Sequence, residues 1–287
     1  MNGSMGRLIE IVKERGISAF TYDDVKFVSK PLFANPERLI LVGGQALEVW
    51  GVLLKVPPPT GVALTEDTDW LGSKDDAKWL IESLGPIASD LQIPDVTDPT
   101  PSSALAFIQR QEERILMMDF MKTIVGPDEH AIRKLAVQVT LMDDVKLAIL
   151  HPLHCLESRL GNLTSIPSKR GGNGPMQAKW AMDIAREFIL GMVRSGQPAD
   201  EVQKACKMVS GLVESKQKRH YARYCHIHYG INPLDAVPAE AVQYVGGGFE
   251  NDEWPRVIER VTHKLASWRE IAARTQPQLK SSGSKVT

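Results

Sequence analysis

Short apolar runs alternate with stretches of helical spacing through roughly the first 165 residues. Apolar runs of this length, bounded by turn-forming residues, are typical of strands in a sheet. They span Arg38 to Val42, Val62 to Leu71, Ala104 to Gln109, Ile115 to Val125, Leu135 to Leu141 and Val145 to Leu150. Helical spacing over Gln45 to Trp50 and over Asp75 to Leu84, the second after the candidate N-cap Ser73, predicts helices between them. The first part of the chain is therefore predicted to be one mixed sheet flanked by helices.

The pattern changes after residue 165. Thr164 to Pro175 combines proline, glycine and basic residues, which favours an exposed loop. Beyond it, helical spacing predominates over Met176 to Val193, Ala199 to Tyr224 and Trp254 to Thr275. We predict an α+β protein, with an α/β domain at 1–165, a helical domain at 166–275 and a disordered polar tail at 276–287.

Composition narrows the class of protein. The 287 residues are 43% apolar with a net charge of −1, and no apolar run reaches 18 residues. Such a chain is expected to be globular, without a membrane span, and its polar start predicts no secretion signal. The three cysteines, Cys155, Cys206 and Cys225, are expected to be buried thiols, which fits a cytoplasmic location.

The near-zero net charge conceals an uneven distribution. Residues 1–168 carry 16 basic and 23 acidic side chains, whereas residues 169–287 carry 18 and 12. The first part is therefore suited to cations and the second to an anionic ligand, although such a split also arises by chance.

Two motifs carry candidate chemistry. A predicted strand runs through Gly43 and Gly44 into a helix, and glycines there let backbone amides approach a phosphate. Farther along, Asp67 and Asp69 are two residues apart on a predicted strand, so their carboxylates share a face. Two neighbouring carboxylates are costly without a cation, and Mg²⁺ prefers oxygen ligands. The alternative for each motif is an ordinary tight turn or a solvated strand edge.

A third carboxylate, Asp119, lies in the apolar run Ile115 to Met121. An acid in such a run is either paired in the core or faces an active site, because burying an unpaired charge is expensive.

Together these residues resemble the DNA polymerase beta-like nucleotidyltransferase superfamily, and most closely its AbiEii-like branch from abortive-infection and toxin-antitoxin systems. The glycine motif GG-x-A-L is matched by Gly43, Gly44, Ala46 and Leu47, and T/S-x-D-x-D by Thr65, Asp67 and Asp69. Asp119 stands where the third acid of that family falls. Two further segments look like the family's, namely the one around Arg159 and the one from Lys179 to Asp183. The resemblance covers about residues 38–190.

The resemblance implies transfer of a nucleoside monophosphate from an NTP to an acceptor: an RNA or tRNA end, a protein or a small molecule. Two Mg²⁺ ions would be held by the catalytic residues Asp67, Asp69 and Asp119. The implied nucleotide-binding residues are Gly43, Gly44, Gln45, Thr65, Arg159, Lys179 and Asp183. The resemblance also implies an antitoxin partner.

Three features depart from the family pattern. The spacing from Gly44 to Asp67 is 23 positions, the arginine that the family often has shortly before the aspartate pair is absent, and Arg159 stands in place of a lysine. An alternative is therefore a catalytically weak or silent member that acts as a nucleotide-binding or partner-binding module. A third alternative is an α/β protein whose aspartates are structural. For Arg159, Lys179 and Asp183, the alternative to nucleotide binding is an ordinary solvated helix face with ion pairs. The basic run from Lys216 to Arg223 fits either an RNA contact or an ordinary charged helix.

Overall fold

The computed structural model describes residue 12 and residues 16–60, 68–95, 97–98, 100–110, 114–141 and 145–275. The predicted site residues Thr65 and Asp67 lie outside the described residues, as does the tail at 276–287.

The described residues contain one seven-stranded sheet in the order β3-β4-β5-β2-β1-β7-β6. Strand β2 pairs in parallel with β5 and antiparallel with β1, so the sheet is mixed. The strands are β1 (Ile40–Leu41), β2 (Thr68–Leu71), β3 (Ser89–Gln92), β4 (Ser102–Gln109), β5 (Ile115–Met121), β6 (Val137–Thr140) and β7 (Lys146–Ile149).

Helices flank the sheet and make up most of the chain after residue 150. The α-helices of the described part are α1 (Tyr22–Ser29), α2 (Gly43–Leu53), α3 (Lys74–Ser83), α4 (Glu129–Leu135), α5 (Pro152–Ser165), α6 (Asn173–Arg194), α7 (Ala199–Glu214), α8 (Arg219–Tyr229), α9 (Ala239–Val245) and α10 (Trp254–Thr275). Short 3₁₀ turns span Lys30–Phe33, Pro167–Lys169 and Pro233–Ala236, and a π-helical turn spans Phe249–Glu253. The predicted α+β class, a mixed sheet followed by a helical part, is confirmed.

Local chemistry accounts for several boundaries. Ser73 caps α3 in a capping box with Asp76, as the sequence predicts, with Ser73 Oγ accepting from the Asp76 amide at 3.2 Å. Helix α5 begins at Pro152, whose fixed φ suits the first helical turn, and Nδ1 of His151 accepts from the Leu153 amide at 3.2 Å.

Two element predictions were wrong, and one strand was missed. Strand β5 ends at Met121 rather than Val125, because the chain turns there toward Gly126, which packs against the backbone of Glu157. Strand β3 was missed, since it has a single large apolar residue and depends on pairing with β4. The predicted helix from Ala199 to Tyr224 is two helices.

The break between α7 and α8 lies at residues 215–218, where Ser215 is extended with ψ 135°. This turn brings Lys218 within 2.8 Å of the buried carboxylate of Glu157 on α5, against which α8 packs. The break therefore coincides with a tertiary ion pair. Residues 215–218 contain no glycine or proline, so the sequence gives no local signal of a helix end there.

One continuous apolar core joins the sheet to the helices. The indole N–H of Trp50 on α2 donates to the Leu150 carbonyl at 2.8 Å. The indole N–H of Trp180 on α6 donates to the Val56 carbonyl at 3.1 Å, and its ring packs against Gly51. The three cysteines are free and buried, as predicted. Over the described ranges, no helix has the length and apolarity needed to span a membrane. The predicted domain boundary at residue 165 stays a prediction.

Candidate active site

The turn from β1 into α2 is shaped around the carboxylate of Asp69. Gly43 begins α2 with φ +68°, a conformation that favours glycine. A Cβ atom built there would overlap Oδ2 of Asp69 and lie 2.7 Å from its Cγ. The first amides of α2 have no intrahelical acceptors, and its N-cap residue Val42 has no polar side chain to supply one. The start of α2 is therefore a polar surface suited to an anion, with Asp69 directly against it.

We expect Gly43→Ala to lower both stability and any activity of this site. The left-handed backbone costs alanine about 1 kcal/mol, and the added methyl group must displace Asp69. Gly196→Ala is the matched control, because Gly196 has the same φ of +68° but nothing within 4 Å of its Cβ position. Urea unfolding should show a similar backbone cost in both variants and an additional loss in Gly43→Ala alone. An equal loss in the two would contradict the close packing against Asp69.

Two carboxylates meet on neighbouring strands. Asp69 on β2 and Asp119 on β5 are direct partners in the parallel register, so their Cα atoms are about 4.8 Å apart. Both are half-buried and line the same cleft. Ser102 at the start of β4 donates its hydroxyl to Oδ2 of Asp119 at 3.0 Å. The structure thus brings together two of the three predicted catalytic carboxylates.

This pair has the chemistry of a magnesium site. Mg²⁺ is usually held by one or two carboxylates, with waters and substrate phosphates completing its shell. Among the described residues no group of three or more acidic, histidine or cysteine side chains gathers in a metal-binding arrangement. Two carboxylates facing one cleft fit an ion that is shared with a phosphate-bearing substrate.

Arg159 faces the carboxylates from helix α5. Its side chain is 7% exposed and donates to Oε1 of Gln177 on α6 at 3.1 Å. Burial lowers the pKa of its guanidinium, whereas the nearby Cys155 and Asp69 oppose that change. A guanidinium stays charged in a protein, so a buried positive charge lies across from Asp69 in the same cleft.

The cleft has a volume of about 580 Å³ and lies between the central strands of the sheet and the helices. Its sheet wall consists of Gly43, Gly44, Asp69 and Asp119. Its helical wall includes Arg159, Asn162, Lys169, Gln177 and Tyr221. One wall therefore carries two carboxylates and the other a set of cationic, amide and aromatic side chains, an arrangement suited to a metal-bound polyphosphate.

Three predicted binding residues lie elsewhere. Gln45 is buried in α2, and Lys179 and Asp183 are exposed on α6; none of them is among the described residues that line the cleft. Gln177 faces the cleft, and positions two and six residues farther along a helix point away by about 160° and 120°. Burial raises the pKa of Asp183, with Arg186 opposing. Their predicted role in nucleotide binding therefore has no support from the cleft geometry.

Sequence reasoning missed most of the helical wall. Asn162, Gln177 and Tyr221 come from three different helices and are single polar residues within amphipathic patterns. Lys169 is in a segment that the sequence marked only as a loop. One sequence signal pointed to this wall, namely the basic run from Lys216 to Arg223, which contains Tyr221.

Two histidines near the start of α5, the half-buried His151 and the buried His154, are expected to make stability sensitive to acid. Burial lowers the pKa of His151 and of His154 to about 4, with His154 adding to the effect on His151 and the charge of Lys218 to that on His154. Because the folded state binds fewer protons than the unfolded state between pH 4 and 6.5, stability is fully present above pH 6.5 and is lost as the pH falls toward 4. The effect is about 3 kcal/mol at most for each histidine.

Urea unfolding at pH 7.0, 5.5 and 4.5 checks this expectation. The free energy of unfolding should fall across the series, and His154→Gln should make the fall shallower. His130→Gln, on an exposed position of α4, should leave the slope unchanged. A flat profile for the wild-type protein between pH 6.5 and 4.5 would show that the histidines are not held neutral.

Comparison with known proteins adds little. No family model matches this sequence, and no curated protein matches it. Among solved structures, the Megavirus polyadenylate synthase superposes with a TM-score of 0.35 and 8% sequence identity, over 67% of this chain and 41% of that one. The chain thus spans less than half of the length of that structure. A superposition this loose does not assign an activity, so function has to be inferred from the cleft.

Proposed function

We propose that this protein is a Mg²⁺-dependent nucleotidyltransferase, which transfers a nucleoside monophosphate from an NTP to an acceptor. The observation that carries the proposal is the in-register pair of Asp69 and Asp119, packed against the glycine turn of α2 and facing Arg159 across one cleft. Phosphoryl transfer requires mainly positioning and neutralisation of charge, which such a site supplies.

Each residue then has a defined task. Asp69 and Asp119, together with Asp67 from the sequence motif, would hold the magnesium ions, which polarise the phosphates and lower the pKa of the attacking oxygen. The amides at the start of α2 hold the β- and γ-phosphates, and Arg159 neutralises their charge. Ser102 orients the carboxylate of Asp119 through its hydrogen bond.

The reaction forms one bond and breaks another. The acceptor oxygen attacks the α-phosphorus, and the bond from that phosphorus to the bridging oxygen breaks. Pyrophosphate leaves along the α2 turn, and Asp119 receives the proton of the acceptor hydroxyl. Asp119 thus serves the attacking side of this reaction, and the α2 turn and Arg159 serve the leaving side.

The test is transfer of label from each of the four α-³²P NTPs to total RNA, to cell protein and to small-molecule extract, with and without Mg²⁺. Magnesium-dependent labelling of one acceptor class is the expected result. If no NTP labels any acceptor but calorimetry detects NTP binding, the alternative of a silent nucleotide-binding module replaces the enzyme. If NTPs neither bind nor react, the carboxylates are structural.

The motif alone extends the proposal to the AbiEii-like branch, and with it to a toxin-type activity held in check by an antitoxin. Growth arrest of bacteria on expression of the wild-type chain, but not of Asp69→Asn, would support this extension. Growth arrest by both forms would argue against a toxin that works through nucleotidyl transfer.

A further inference from the structure

Two segments of the helical part contain no acidic residue. Residues 158–182 carry four lysines or arginines and residues 215–234 another four, without one aspartate or glutamate in either. The first segment includes the second half of α5 and the start of α6, and the second includes all of α8. Both segments contribute to the cleft, through Lys169 and Tyr221 among others. Exposed cations such as Lys169 and Arg170 therefore border the site.

Direct contacts join the two segments beside the cleft. Tyr229 on α8 donates its hydroxyl to the Arg170 carbonyl at 2.8 Å. The Arg170 guanidinium lies over the ring of Tyr224, 5.2 Å from its centroid, and the ring of His228 is 4.2 Å from that of Tyr224. The exposed Arg170 of one segment thus lies against an aromatic ring of the other.

The aromatic residues follow one face of α8. Tyr221, Tyr224 and His228 are spaced three and four residues apart, so they form a single row. Tyr221 lines the cleft, Tyr224 is half-buried and His228 is exposed, so the row extends from the cleft onto the surface. We call these three residues, together with Lys169 and Arg170, the aromatic-cation strip.

We propose that the aromatic-cation strip binds single-stranded nucleic acid and leads its end into the cleft. Single strands bind to grooves that combine cations for the phosphates with aromatic faces for the bases. A duplex would offer its phosphates but keep its bases from the tyrosines, and an acidic peptide would use only the cations. The inference rests on the proposed function, since it names the acceptor class of that site.

The test measures binding without Mg²⁺ or NTP, so that it does not depend on transfer. Fluorescence anisotropy would follow a labelled 12-nucleotide oligoribonucleotide, the same sequence as deoxyribonucleotide, and its duplex, from low to moderate salt. We expect either single strand to bind more tightly than the duplex, and the RNA and DNA arms show whether the 2′-hydroxyl contributes. Failure of the single strands to bind, or equal binding of the duplex, would overturn the inference.

Variants separate stacking from charge. Tyr224→Leu should weaken binding about five- to tenfold or more, whereas Tyr224→Phe keeps the ring and should bind as the wild type does. Lys169→Gln with Arg170→Gln should reduce the slope of log affinity against log salt by about 1.4, because each phosphate contact on a single strand contributes about 0.7. Arg256→Gln, an exposed arginine on α10 outside both segments, should change neither quantity.

The other possible results separate the role of the rings, the binding of single strands and the proposed function. Equal affinities for Tyr224→Leu and wild type, with melting temperatures confirming the fold, would overturn the role of the rings. Strong single-strand binding without any nucleotidyl transfer would leave the inference standing and remove the proposed function. Transfer to a small molecule without single-strand binding would do the reverse.

Discussion

Asp69→Asn and Asp119→Asn are each expected to lower nucleotidyl transfer by about three orders of magnitude while the protein stays folded. A thousandfold loss corresponds to about 4 kcal/mol of transition-state stabilisation, which is within the range for a metal that neutralises phosphoryl charge. The two side chains are register partners, so each replacement removes one carboxylate charge from the proposed metal position. Removing one of two neighbouring like charges should not destabilise the fold.

The measurement is the rate of label transfer to whichever acceptor the wild type modifies, together with the melting temperature. Asp75→Asn is the matched control, because Asp75 is an exposed aspartate in the first turn of α3, away from the cleft. Mn²⁺ binding, followed by electron paramagnetic resonance, should weaken in the two cleft variants and not in the control. Full transfer by either cleft variant would exclude the proposed metal site.

Arg159→Met is expected to lower transfer by about 100- to 1,000-fold, the usual cost of losing one charge-stabilising group at a transition state. The transfer rate of Arg159→Lys should lie between those of the wild type and Arg159→Met, since lysine keeps the charge but loses the planar fork that matches a phosphate. The melting temperature of the Met variant should change little, because burying a guanidinium is itself costly and methionine fills similar space.

This pair of measurements also tests the alternative that Arg159 only supports the helix packing. In that case Arg159→Met would lower the melting temperature while the folded fraction kept its NTP affinity and its rate. Arg133→Met, an exposed arginine on α4, controls for the loss of one positive charge. A loss of NTP affinity in Arg159→Met alone would place its guanidinium at the phosphates.

The sequence predicted the parts of the fold that local pattern determines. Strands with dense apolar runs, such as β4 and β7, and helices with clear caps, such as α3, were found close to their true bounds. The edge strand β3 was missed because its pairing with β4 compensates for a weak pattern of its own. The break before α8 was missed because it accompanies the ion pair between Lys218 and Glu157, which are 61 residues apart.

For the candidate site, the sequence identified residue types better than positions. Asp119 was identified because burying an unpaired acid within an apolar run is costly, and Asp69 because it shares a strand face with a second acid. Their pairing depends on β5 lying beside β2, which a single sequence does not reveal. The helical wall of the cleft comes from α5, α6 and α8, whose approach is set by core packing. The neighbours Gln177 and Lys179 show the limit, since motif similarity favoured Lys179 whereas helix geometry places Gln177 in the cleft.

The contact between Trp180 and α2 fixes the helical part of the cleft against the sheet. Helix α2 carries the glycine turn at its start, and near its end Gly51 lies against the ring of Trp180 on α6. Rotating the helical part away from the sheet would have to separate that ring from Gly51 and break its hydrogen bond to Val56. The spacing between the carboxylate wall and the wall of Arg159 is therefore set before any substrate arrives, and long side chains such as Lys169 remain the elements that can adapt to it.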